Sequence, residues 1–147
     1  MRSSQALSIL AGASAAVFLA LGSPARADSG LEELAVLQSG QYYGTVEAYQ
    51  KGDELYLWAK DAAEIFGAQL GWRQVSEAVD LRFPGRTVRF KARSREMEVG
   101  GRTLKLPSEV LVRSDRAYIP LLAFLTPDFS EAAGMDAVYQ PEQRLLV

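Results

Sequence analysis

The chain has 147 residues, with 16 Lys and Arg against 18 Asp and Glu, and neither His nor Cys. The acidic balance argues against a general nucleic-acid binder, and the missing Cys removes disulfides, thiolate metal sites and cysteine nucleophiles. The missing His removes the commonest proton carrier near neutral pH and the usual ligand of catalytic zinc and of copper.

Triads and His-based metal hydrolysis are therefore excluded, and no metal or other cofactor is expected. A paired-carboxylate hydrolase stays formally open, because Asp and Glu are plentiful. No spacing singles out such a pair, so no catalytic residue is assigned.

The first 27 residues read as an export signal. Arg2 gives a positive start, Ala6 to Leu21 is apolar, Gly22-Ser23-Pro24 breaks the run, and Ala25-Arg26-Ala27 offers a cleavage site of small residues. The apolar run falls short of the roughly 20 residues a membrane span needs. A soluble mature chain from Asp28 is expected, without a transmembrane anchor. It keeps all 18 acids and 14 basic residues, for a net charge near −4. Residues 28–44 form an N-terminal extension in this reading, and Leu31 to Leu37 is a short apolar stretch to which no element is assigned. A domain then runs from 45 to 147.

Within it, Thr45 to Tyr49 and Leu55 to Trp58 flank the turn signal Lys51-Gly52-Asp53-Glu54 and predict a hairpin. Ala59 to Phe66 has helical spacing, with Ala59, Ala62, Ala63 and Phe66 on one face and Gly67 as its left-handed cap. Leu70 to Arg73 and Ala78 to Phe83 read as strands. After Pro84-Gly85, Val88, Phe90 and Ala92 alternate with Thr87, Arg89, Lys91 and Arg93. Glu96 to Val99 and Arg102 to Leu106 flank Gly100-Gly101, and Val110 to Val112 and Ala117 to Ile119 flank Ser114-Asp115. Pro120 suits the first turn of a helix through Phe124. Thr126 caps a second helical turn that ends at Gly134. Ala137 to Tyr139 and Leu145 to Val147 close the chain as strands around a turn. These elements make a small α+β domain, mainly antiparallel sheet with two short helices.

Two stretches are similar at an offset of 62: Asp53 to Trp58 and Asp115 to Pro120. Each leads into an apolar helix ending at Gly67 or Gly134. Each Gly precedes an aromatic by five residues, Trp72 or Tyr139. The domain thus reads as a degenerate strand-helix-hairpin repeat.

The ordered series resembles the copper amine oxidase N-terminal, or stalk, domain family over about Thr45 to Val147. The carriers are Tyr118-Ile119-Pro120-Leu121, Gly67-Ala68-Gln69-Leu70-Gly71-Trp72, Met97 to Arg102 and Leu106-Pro107. Leu122 stands where that family usually has Arg. The resemblance implies a non-catalytic domain lying apart from any copper centre. Similar domains precede cell-wall N-acetylmuramoyl-L-alanine amidases, and the Leu125 to Gly134 insertion is similar to that form. The implied role is an exported module, periplasmic or extracellular and cell-wall associated, that binds or positions a partner. Alternatively, the chain is the non-catalytic front of an amidase whose zinc domain lies elsewhere. The partners implied are peptidoglycan or another anionic wall polymer, or a cell-wall hydrolase domain.

Two candidate surfaces stand out. Arg82, Arg86, Arg89, Lys91, Arg93 and Arg95 occupy a window without an acid, which suits contact with anionic polymers. The plainer reading is a solvated strand face or a charge-guarded edge. Trp58 is a candidate glycan-contacting aromatic. Trp72 and Tyr139 are expected as core or half-core residues holding helix to sheet. No Gly-rich loop opens a helix after a strand, so nucleotide binding is unsupported.

Overall fold

Two-residue turns organise most of the chain. Ser39-Gly40 joins β1 (Ser29–Gln38) to β2 (Gln41–Lys51), and Gly52-Asp53 joins β2 to β3 (Glu54–Trp58). Gly100 and Gly101, at φ 56° and 83°, join β7 (Glu96–Val99) to β8 (Arg102–Lys105). Two successive left-handed residues match the right-handed twist of the flanking strands, and glycine adopts them without strain. Ser114-Asp115 makes the same turn between β9 (Leu111–Arg113) and β10 (Arg116–Pro120) with no glycine, at φ 50° and 63°. Short polar side chains are among those that tolerate this region.

The computed structural model describes residues 29–147, and the export-signal reading of residues 1–27 lies outside them. Two sheets form. Sheet A runs β11-β12-β1-β2-β3-β10-β9, and sheet B runs β4-β5-β6-β7-β8. Here β4 is Gln69–Arg73, β5 Ala78–Phe83, β6 Arg86–Lys91, β11 Tyr139–Gln140 and β12 Leu145–Leu146. All neighbours are antiparallel except β1 and β12. Among the described residues the fold is a small α+β domain of mostly antiparallel sheet.

The described part of the 28–44 stretch, residues 29–44, expected as an extension, instead supplies β1 and the start of β2. β1 pairs with β2 from Ser29↔Lys51 to Gln38↔Gln41, with a bulge after Val36, and lies parallel to β12. Leu34 and Val36 are buried and carry it into the core. Its apolar residues Leu31, Leu34 and Leu37 recur every third position, which hides the strand period.

Helix α1 (Ala59–Phe66) follows β3 directly, burying Ala59, Ala62, Ala63, Ile65 and Phe66. It stops at Gly67, φ 73°, whose N–H bonds the Ala63 carbonyl. After β10 the chain departs from the expected helix start. Pro120 is the last residue of the strand, paired opposite Tyr56, and a 3₁₀ helix runs Leu121–Leu125. Helix α2 (Pro127–Ala133) begins under the Thr126 cap, whose Oγ1 accepts the Phe129 N–H at 3.2 Å. It stops at Gly134, φ 75°.

The helices join the sheets through phenylalanines. Phe66 of α1 meets Phe124 at 5.3 Å and Phe129 at 4.9 Å between ring centroids. Phe129 also meets Phe83 of β5, and Phe124 meets Phe90 of β6. These rings and the inward rows of both sheets form one buried cluster. At its margin Ala92 bridges Val110, a member of the cluster, and the Arg93 N–H bonds the Val110 carbonyl at 2.9 Å, tying the exit of β6 to the start of β9.

Candidate binding surface

The arginine window sits on sheet B and acquires its carboxylates from outside the window. On β5, Val79, Leu81 and Phe83 face the core, so Asp80 and Arg82 face outward. Register sets Asp80 opposite Gly71 on β4 and Arg89 on β6, and Arg89 opposite Glu98 on β7.

Asp80 is nevertheless only 1 % exposed. Three guanidiniums enclose it. Arg89 Nε lies 2.8 Å from Oδ1, Arg73 Nε 3.0 Å from Oδ2, and Arg82 Nη2 3.8 Å from Oδ2. Burial alone would push the Asp80 carboxyl up. Hydrogen bonds from Arg89 and Arg73 outweigh that and hold it below the usual carboxylate range. The bond to Asp80 raises Arg89 in turn. Gly71 makes room for this arrangement, because a Cβ there would lie 2.5 Å from Arg82 Nη2.

The remaining window residues divide. Arg93 pairs with Glu77 at 2.6 Å and Arg86 with Glu131 of α2 at 3.5 Å. Lys91 lines a depression of about 310 Å³ with Arg73, Arg89, Glu96 and Glu98, a lining of mixed charge. Arg95 is exposed, and its carbonyl accepts the Leu106 N–H. Among the described residues, no group of three or more His, Cys, Asp or Glu is placed to hold a metal.

Trp58 lies elsewhere. It is half-buried on the outward row of β3 in sheet A, packed against a cluster of Tyr49, Tyr56 and Tyr118. Arg116 sits 3.9 Å over its ring and Lys60 5.5 Å, while Arg113 covers Tyr49 at 4.5 Å. The fold therefore separates Trp58 from the window arginines onto different sheets.

Of the two aromatics expected in the core, Tyr139 is half-buried and packs against the core. Trp72 is not in it: it is 49 % exposed, on β4, the edge strand of sheet B. Sequence reading missed Asp80, Arg73 and Glu98. The signal for Asp80 was present: a two-residue turn at Pro84-Gly85 sets Phe83 against Arg86 and hence Asp80 against Arg89.

Residues 36–146, from near the end of β1 to the end of β12, match the family model for the copper amine oxidase N-terminal domain. The chain belongs to that family. No curated protein and no solved structure gives a match. Membership makes this a non-catalytic, stalk-like domain, and its surfaces rather than a reaction centre are where function is to be sought.

Proposed function

We propose that this stalk-like domain is exported and binds or positions a partner at the bacterial cell wall. The observation that carries the reading is the charge of sheet B's outer face. Arg73, Arg82, Arg89, Lys91 and Lys105 stand there against Asp80, Glu96 and Glu98. A net-acidic chain thus concentrates a cationic excess on one strand face, which suits peptidoglycan carboxylates or another anionic wall polymer. The leader-like first 27 residues support export.

The test is a pull-down of residues 28–147 with purified peptidoglycan. Retention at low salt that falls as salt rises, and that is lost in Lys91→Glu/Lys105→Glu, is the expected result. No retention at low salt sinks wall binding and leaves a spacer role.

A second reading makes the chain the non-catalytic front of a cell-wall amidase. The insertion that carries this likeness folds as α2 with its own Thr126 cap. A zinc-amidase domain in frame downstream of Val147 is the supporting observation, and an unrelated reading frame there removes it.

We also read the fold as two degenerate copies. The β2-β3 hairpin, α1 and the β4-β5 hairpin correspond to the β9-β10 hairpin, the 3₁₀ helix with α2, and the β11-β12 hairpin. Adjacent, antiparallel β3 and β10 support this. If no single rotation superposes one unit on the other, the reading fails.

A further inference from the structure

Sheet B ends at β4, and no described strand pairs with its outer edge. Three exposed apolar side chains lie on or just past this strand. Leu70 is 42 % exposed, Trp72 49 %, and Val75, two residues past the strand, fully exposed. Leu70 and Trp72 lie opposite the buried Leu81 and Val79, so they continue the core-facing row out to the sheet's edge, where they are exposed. Alternate large apolar residues beside an open backbone edge are what edge strands usually avoid, by charge, proline or bulges. β4 has no proline, and its one charged residue, Arg73, is turned to Asp80.

We propose that β4 is a homodimer interface, pairing antiparallel with β4 of a second copy about a two-fold axis through Gly71. Directly opposed residues share a face, so the register must place like rows together. Centring on Gly71 sets each Leu70 against the other copy's Trp72 and each Gln69 against Arg73. The two uncovered apolar side chains then cover each other, and none of the directly opposed β4 residues forms a like-charged pair. The next register of the same parity, centred on Trp72, fails on packing. It sets Leu70 against Gln74, past the end of the strand, so Leu70 and Trp72 no longer cover each other. The contact is isologous and closes as a dimer, which removes the free edge. Each seam strand contributes only five residues, so the dimer is a weak one. On the other face the two Arg82 guanidiniums flank the axis, and added salt tightens association by screening them.

Sedimentation equilibrium of the purified protein, from low micromolar to near-millimolar, tests this. The native chain is expected to show a monomer–dimer equilibrium, with tryptophan emission moving to the blue as Trp72 is covered. Leu70→Lys/Trp72→Lys opposes like charges across the axis and weakens association by on the order of 100-fold or more. Both side chains are already solvent-exposed, so circular dichroism and the urea midpoint at low concentration should match the native monomer. Leu70→Glu/Trp72→Lys opposes a carboxylate to an ammonium and restores the dimer. A native chain that stays monomeric throughout overturns the proposal. So does a double-Lys variant that associates as well as the native chain, or a Glu/Lys variant that associates no better than the double-Lys one.

Discussion

On the outer face of sheet B, three arginines converge on one carboxylate. On the outer face of sheet A, arginines lie over aromatic rings. Arg89 and Arg73 reach Asp80 at 2.8 and 3.0 Å, whereas Arg116 and Arg113 stack on Trp58 and Tyr49. The two faces use the same side chain for opposite purposes. In sheet B the cation permits a charge to be buried; in sheet A it shields apolar surface from water while its own charge stays exposed. A run of arginines in sequence therefore does not translate into an equally positive surface. Strand pairing brings in acids from β5 and β7, and helix α2 brings in another.

If that contrast is right, removing the carboxylate should matter far more than removing a stacked cation. Asp80→Ala leaves three guanidiniums facing an empty pocket and is expected to destabilise by about 2–3 kcal/mol at neutral pH. That lies below the range for a fully enclosed pair because Arg73, Arg82 and Arg89 remain 52, 47 and 35 % exposed and can turn to water. Urea unfolding at one low protein concentration measures it. A loss no greater than that of a stacked arginine would dissolve the distinction between the faces.

The pH dependence sharpens the same point. The Asp80 carboxyl is held below its unfolded value of about 3.9. Its stabilising contribution is therefore complete above that value and disappears as pH falls from about 4 through the folded value. The urea-midpoint gap between the native chain and Asp80→Asn should be wide at neutral pH and close in strong acid. A gap independent of pH would mean that shape, not charge, holds Asp80 in place.

Gly71 offers a smaller, local test. A methyl there meets Arg82 at 2.5 Å, so Gly71→Ala must displace a guanidinium rather than backbone. The expected cost is about 1 kcal/mol. The same change made in an Arg82→Ala background should cost nearly nothing, and a double-mutant cycle reads that coupling. Equal costs in both backgrounds would place the constraint in the backbone.

Local chemistry makes most elements legible in the sequence. The paired turns at Gly100-Gly101 and Ser114-Asp115, the cap at Gly67 and the Thr126 start all follow from residues within one turn of the feature. What stays hidden depends on partners distant in sequence. β1 is obscured by apolar residues three apart, and its place beside β12 rests on contacts over a hundred residues away. The exposure of Trp72 depends on which strand ends the sheet, and no local pattern encodes that. The site falls between the two cases. Asp80 opposite Arg89 follows from one short turn, but the third guanidinium, Arg73, enters only through the pairing of β4 with β5.

The smallest effect belongs to the stacked cations. Arg116→Ala removes a guanidinium 3.9 Å over Trp58 and is expected to cost about 0.5–1 kcal/mol, as for an exposed cation–π contact. Arg116→Lys should recover only part of it, since an ammonium lacks the planar face that stacks on the indole. The informative readout is Trp58 emission in a Trp72→Phe background, where it is the only tryptophan left. Uncovering the ring should shift that emission to the red and raise its quenching by iodide, while the sheet B variants leave it unchanged. If Asp80→Ala moved the Trp58 signal as much as Arg116→Ala does, the two faces would be coupled through the phenylalanine core between them. Arginines on either face would then answer to the packing of one interior instead of to the chemistry of their own partners.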